Sequence, residues 1–192
     1  MISLVSLVSL GLTSIKLVSQ VSLGLTGRKR ERPLGEKEKL DAASDGSRYS
    51  KAHARFHPYF RTFLRSRGYY DIFLFDTKGN LVYSVFKEND YATNVMDGEW
   101  SATDLGNAFR AAAQNPSANK VAFFDFKPYA PSNNAPASFI STPLVDTSGK
   151  LEGVLIFQMP IGTLNALMQQ TAGLGETGES YLVGSDLLMR SD

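Results

Sequence analysis

A chain of 192 residues has room for about one domain of ordinary size. Lys plus Arg number 20 and Asp plus Glu 19, a net charge of +1, which excludes a general attraction to nucleic acid or to an acidic membrane surface. The absence of cysteine excludes disulfides and thiolate metal sites and leaves the redox compartment open.

The first 26 residues are rich in Leu, Val and Ser, and Val-Ser-Leu-Gly-Leu-Thr is written at 8–13 and again at 21–26. No positive charge precedes the apolar stretch and no small-residue cleavage site follows it, so the pattern is not that of a signal peptide. Its charge-free, uninterrupted part ends at Ile15, short of the roughly 20 residues a spanning helix needs. Residues 1–32, closing on the basic cluster Arg28-Lys-Arg-Glu-Arg32, read as a low-complexity leader, disordered or mis-started.

From Pro33 the composition becomes that of a folded protein. Glu36 to Ala43 predicts a short charged helix, ended by Ser44-Asp-Gly46, and Ser47 is placed to cap the next one. That helix, Ser47 to Ser66, sets Tyr49, His53, Phe56, Phe60, Phe63 and Leu64 on one stripe. Pro58 removes a backbone donor in its middle and predicts a kink or a restart. Strands are expected at Tyr69–Asp76 and Leu81–Phe86, then a polar loop through Asp90, Tyr91 and Trp100, a helix from Thr103 to Gln114, and strands at Lys120–Lys127, Ala137–Val145 and Leu151–Met159. Asp76-Thr-Lys-Gly79 and Asp146-Thr-Ser-Gly149 repeat one D-T-x-G turn between strands, and each predicts an antiparallel hairpin. A helix over Ile161–Gln170 leaves the sheet, and Ser180–Arg190 reads as the opening strand and turn of a further copy. The order predicts an α+β, PAS-like module: a five-stranded antiparallel sheet, helices on one face, the long N-terminal helix packed on it. The divisions are a helical segment at 33–68, the sheet module at 69–172, and a linker with the start of a second, truncated module at 173–192.

Motifs that carry chemistry elsewhere do not do so here. Gly173-Leu-Gly-Glu-Thr-Gly178 spells the dinucleotide pattern, but a helix precedes it and a strand follows, the reverse of the working order. His53 and His57 stand four apart without a third ligand nearby and read as packing and surface histidines. Ser117-Ala-Asn-Lys120 lies at a helix-strand seam and reads as a turn. No triad, carboxylate dyad or phosphate loop is legible, so no enzyme, cofactor or metal site is expected.

What stands out is polarity inside apolar strands: Asp71, Ser84, Asp125, Ser141 and Gln158. Burying such groups is costly unless they are paired. Either they cap hairpin ends and pair with Lys87 or Lys127, or they face a pocket that Tyr83, Tyr91, Trp100, Phe126 and Tyr129 help to line. The second reading predicts a site for a small polar ligand built from Tyr83, Tyr91, Asp125, Tyr129, Ser141 and Gln158.

A family resemblance adds to these readings. Gly68-Tyr-Tyr-Asp-Ile-Phe-Leu-Phe-Asp76, Val82-Tyr-Ser-Val-Phe-Lys-Glu-Asn-Asp-Tyr-Ala-Thr93, Asp125-Phe-Lys-Pro-Tyr-Ala-Pro-Ser132, Pro136-Ala-Ser-Phe-Ile140, Gly153-Val-Leu-Ile-Phe-Gln-Met-Pro160 and Leu174-Gly-Glu-Thr-Gly-Glu-Ser-Tyr-Leu-Val-Gly184 follow one another in order. From about Leu34 to Asp192 the chain resembles the extracytoplasmic Cache sensor region of bacterial transmembrane receptors, and is most similar to that of methyl-accepting chemotaxis proteins. Similar regions precede nucleotide cyclase and histidine kinase outputs. The resemblance implies a periplasmic sensor that binds a small solute and passes a shift along flanking helices to a cytoplasmic output, within a membrane-embedded, dimeric parent receptor. The chain departs from that pattern at both ends, having a low-complexity leader where a spanning helix is expected and no output domain, as a fragment would. The family's amino-acid-binding motif is not legible, so the ligand class does not carry over. A soluble solute-binding domain without output is the alternative.

Overall fold

The computed structural model describes residues 36–170, 172–175 and 177–191. The leader expected at 1–32 lies outside the described residues. In chain order the elements are α1 (Arg48–Arg67), β1 (Asp71–Phe75), β2 (Leu81–Ser84), α2 (Asp104–Ala113), β3 (Ala122–Tyr129), β4 (Ala135–Val145), β5 (Leu151–Pro160) and α3 (Ile161–Met168), with short 3-10 turns at Lys37–Lys39 and Ala130–Ser132.

Ser47 caps α1 as expected, its Oγ accepting from the Ser50 N–H at 3.0 Å. Gly68 ends the helix in the left-handed conformation at φ 70, with its N–H on the Leu64 carbonyl. The helix runs through Pro58 without the expected restart. Proline inside a helix costs about 3 kcal/mol, and the packing of Phe56, Phe60 and Leu64 against the sheet offsets it. The helix expected over 36–43 shrinks to a single 3-10 turn. The Glu38 carbonyl accepts instead from His57 Nε2 and Arg61 Nη1, side chains of α1, so the segment lies as a strap along that helix.

The strand order is β2-β1-β5-β4-β3, every neighbouring pair antiparallel. Both repeated turns close as predicted. Asp76 Oδ1 accepts from the N–H groups of Lys78 and Asn80, and Asp146 Oδ1 from those of Ser148 and Lys150. Gly79 and Gly149 sit at φ 83 and 84, where only glycine is unstrained.

Helices cover both faces of the sheet rather than the one face expected. Ile72, Leu74, Tyr83 and Leu155 turn to α1, while Phe73, Phe75, Phe139, Val154 and Ile156 turn to α2 with Leu105 and Phe109. The period of two in a strand makes this division, and β1, Asp-Ile-Phe-Leu-Phe, is buried along its whole length. After α3 a tight hairpin pairs Val183 with Met189, and Arg190 ties it to β3 by a 2.8 Å ion pair from Nε to Asp125 Oδ2.

Candidate ligand-binding site

Alternation places Asp71 and Gln158 opposite each other on the α2 face, one step beyond Phe73 and Ile156. Beyond β2 the chain folds back over them. Ser84 Oγ accepts from the Lys87 N–H at 2.9 Å, and Lys87 and Ala92 adopt left-handed φ values of 53 and 62. Such angles in residues with a Cβ store strain and cluster at functional sites. Between these two bends lie Glu88 and Asp90, 8 % and 0 % exposed. The third wall is the end of β3 and the 3-10 turn after it, which Asn133 and Asn134 terminate at φ 55 and 59, angles asparagine tolerates.

These segments meet in a buried polar nest. Tyr70 Oη and Ser132 Oγ each donate to Glu88, at 2.7 Å to Oε1 and 2.7 Å to Oε2. Tyr129 Oη donates to Asp90 Oδ2 at 2.6 Å. Gln158 Nε2 donates to Ser132 Oγ at 3.1 Å. The orientation of that amide follows from proton counting: Ser132 has one hydroxyl proton and gives it to Glu88, so it faces the NH2 of Gln158. Gln158 Oε1 then stays buried without a partner among the described residues.

Electrostatics couple the three acids through mutual repulsion. Burial raises the Asp71 carboxyl well above the usual carboxylate range, and Asp90 and then Glu88 push it further, against the N–H groups of Ile72 and Val85 that favour its charged form. Asp71 is a structural member: its Oδ1 accepts those N–H groups at 2.6 and 2.8 Å and so fixes the chain where it leaves β2. Burial also holds the Tyr129 phenol above its usual range, with Asp90, Glu88 and Asp71 adding to it. Tyr70 is raised by burial first and Glu88 second. Protons therefore stay on both phenols, which donate into the acids.

Of the six residues expected at a site, the nest contains Tyr129 and Gln158. Ser141 lies further along the same face of β4, opposite Ile156, its Oγ buried without a partner among the described residues. Tyr91 reaches the α1 side, its Oη 3.0 Å from that of Tyr49. Tyr83 turns to α1 altogether, and Asp125 is engaged by Arg190. Sequence reading missed Tyr70, Glu88, Asp90 and Ser132, three of them in loops where polar residues are ordinary. A sharper signal was the Lys-Glu-Asn-Asp stretch, two acids four and six residues past a strand that is buried throughout.

On the α1 face, His53 and His57 stack at 4.3 Å and neither is a surface residue. His57 Nε2 donates to the Glu38 carbonyl at 2.6 Å, and its Nδ1 accepts from Tyr83 Oη at 2.8 Å. Burial, then Lys87, hold that imidazole down at about 4 from the usual 6.5. The pair fastens the N-terminal strap.

No family model matches the chain, and no curated protein matches its sequence. Solved structures do. The ligand-binding domain of the Campylobacter jejuni chemoreceptor Tlp3 in complex with 4-methylisoleucine is 11 % identical at TM-score 0.51, covering 97 % of this chain and 67 % of that one. The ligand-binding domain of the Pseudomonas fluorescens chemoreceptor CtaA in complex with L-serine is 16 % identical at TM-score 0.50, covering 96 % and 68 %. The sensor domain of the V. cholerae histidine kinase DctB is 12 % identical at TM-score 0.46, and there the chain spans 55 % of the other's length. At these identities the likeness is one of fold, and the chain has the five-stranded fold of chemoreceptor sensor domains.

Proposed function

We propose that the chain is a small-molecule-sensing region of a transmembrane signal transducer of the chemoreceptor type, acting on the periplasmic side of the inner membrane as part of a membrane-embedded, dimeric parent receptor. Its ligand site is the nest of Tyr70, Glu88, Asp90, Tyr129, Ser132 and Gln158. The observation that carries this reading is the cost of the nest. Six polar residues, with an acceptor unpaired among the described residues, occupy ground where Leu or Phe would stabilise the fold, and strained angles at Lys87 and Ala92 hold two of them there. A ligand supplies the missing contacts.

The fold likeness supports it, since the neighbours in question are described as ligand-binding domains, two of them holding amino acids. Among the described residues no helix is long and apolar enough to cross a membrane. The route to an output is α1 and its strap, which pack on the opposite face of the sheet from the nest.

A thermal-shift screen of amino acids, organic acids and amines tests the site. A ligand at a hundredfold excess over its Kd stabilises the native state by about 2.7 kcal/mol. The expected result is a hit whose shift shrinks in Tyr129→Phe and Gln158→Leu. A screen without hits, or a hit indifferent to both variants, sinks the site.

A further inference from the structure

Proton counting in the nest also says what kind of group it lacks. Tyr70, Ser132 and Tyr129 each spend their hydroxyl proton on a carboxylate, and the Gln158 amide spends an N–H on Ser132. The hydroxyls that bond the nest together are therefore committed as donors. What is left over is acceptor capacity, above all Gln158 Oε1, which is buried on a residue 2 % exposed.

Glu88 carries the second half of the case. Both of its oxygens accept from hydroxyls, those of Tyr70 and Ser132. It is 8 % exposed, yet among the described residues no cation pairs with it. Buried charges are ordinarily paired. The ammonium next to it in sequence, Lys87, donates to the Val85 carbonyl and stands 5.7 Å from the Tyr83 ring, on the α1 face. Asp90 and Asp71 add acidic character to the same ground.

Resting on the nest being the ligand site, we infer that it receives the ammonium head of an organic cation, with Glu88 as counter-ion and Gln158 Oε1 as a neutral acceptor. An ammonium brings one positive charge and several N–H donors, which answers both deficits at once. A carboxylate or phosphate head brings only acceptors into a nest whose hydroxyl protons are spent. A metal ion is a poorer fit, because among the described residues no three His, Cys, Asp or Glu side chains are gathered for one.

The test is thermal shift and calorimetric titration of the whole chain at fixed ionic strength. The probes are ethanolammonium, n-butylammonium and phenethylammonium chlorides, set against sodium glycolate, butyrate and phenylacetate. At least one ammonium should bind where its carboxylate counterpart does not. Glu88→Gln should raise its Kd at least about tenfold, while Glu99→Gln, on an exposed loop, leaves it unchanged. If Glu88→Gln does not fold, Gln158→Met provides the second reading and should weaken the same ammonium. Equal binding in Glu88→Gln and the parent overturns the inference, as does a protein that ignores all three ammoniums. A neutral or anionic solute whose binding depends on Tyr129 and Gln158 overturns the cation inference and leaves the site itself standing. Indifference to every solute removes both.

Discussion

At the scale of single residues, burial decides what each side chain is worth. Phe60 is 3 % exposed between α1 and Tyr83, their rings 5.0 Å apart. Phe60→Ala should cost about 3–5 kcal/mol, read as a lower denaturant midpoint; a variant melting within about a degree or two of the parent would deny that packing. His57 sets a pH dependence of known sign. Its imidazole is held at about 4 in the folded chain against the usual 6.5, by burial and by the charges of Lys87 and Arg61, against the pull of Asp41 and the Glu38 carbonyl. The unfolded chain therefore takes the proton first. The contribution is complete above pH about 6.5 and is lost as pH falls toward 4, amounting to roughly 3 kcal/mol by that difference. Urea midpoints of His57→Gln should show a flatter slope across that window than the parent; equal slopes would mean His57 is not the group that titrates. Ala92 holds a left-handed φ of 62 at the edge of the nest. Ala92→Gly should stabilise the chain by about 1 kcal/mol by releasing that strain, and a loss of stability would show that its methyl matters more.

At the scale of elements, close approach overrides propensity. Gly106 lies inside α2, where alanine is ordinarily better by about 1 kcal/mol. A Cβ there would stand 2.5 Å from the Ser101 carbonyl oxygen, inside contact distance. Gly106→Ala should therefore lower the melting temperature despite raising helix propensity, and an increase would refute the contact. The C-terminal hairpin is the opposite case. Tyr181, Leu187, Leu188 and Met189 are exposed, and Arg190 ties the hairpin to the sheet through its ion pair with Asp125. Amides after about Gly173 should exchange quickly while those of β1 and β5 are protected. Deleting 174–192 should leave the melting temperature nearly unchanged, whereas a large loss would make the hairpin part of the main fold.

For the whole molecule, what could be read from the sequence was whatever is encoded locally. The two D-T-x-G hairpins, the Ser47 cap and five strands placed within about two residues depend on turn chemistry and apolar runs that stand side by side in the chain. Gln158 was legible as a polar group in an apolar strand, and Tyr129 as an aromatic beside one. The rest of the nest was not, because Glu88, Asp90 and Ser132 gain their meaning only when two loops distant in sequence close over one sheet face. Tyr83 misled for a related reason: it adjoins Ser84 in a strand, so the two must face opposite ways, and it is Ser84 that faces the nest side. Lys87 and Glu88, past the end of that strand, are likewise neighbours that serve opposite sides of the molecule. The Lys87 carbonyl accepts from Lys37 Nζ in the N-terminal strap, while the Glu88 side chain is held by Tyr70 and Ser132 in the nest. One planar peptide unit joins that carbonyl to the nitrogen of Glu88. Like a rocker with a load at each end, it cannot tilt to move Glu88 without also moving the oxygen on which the strap rests.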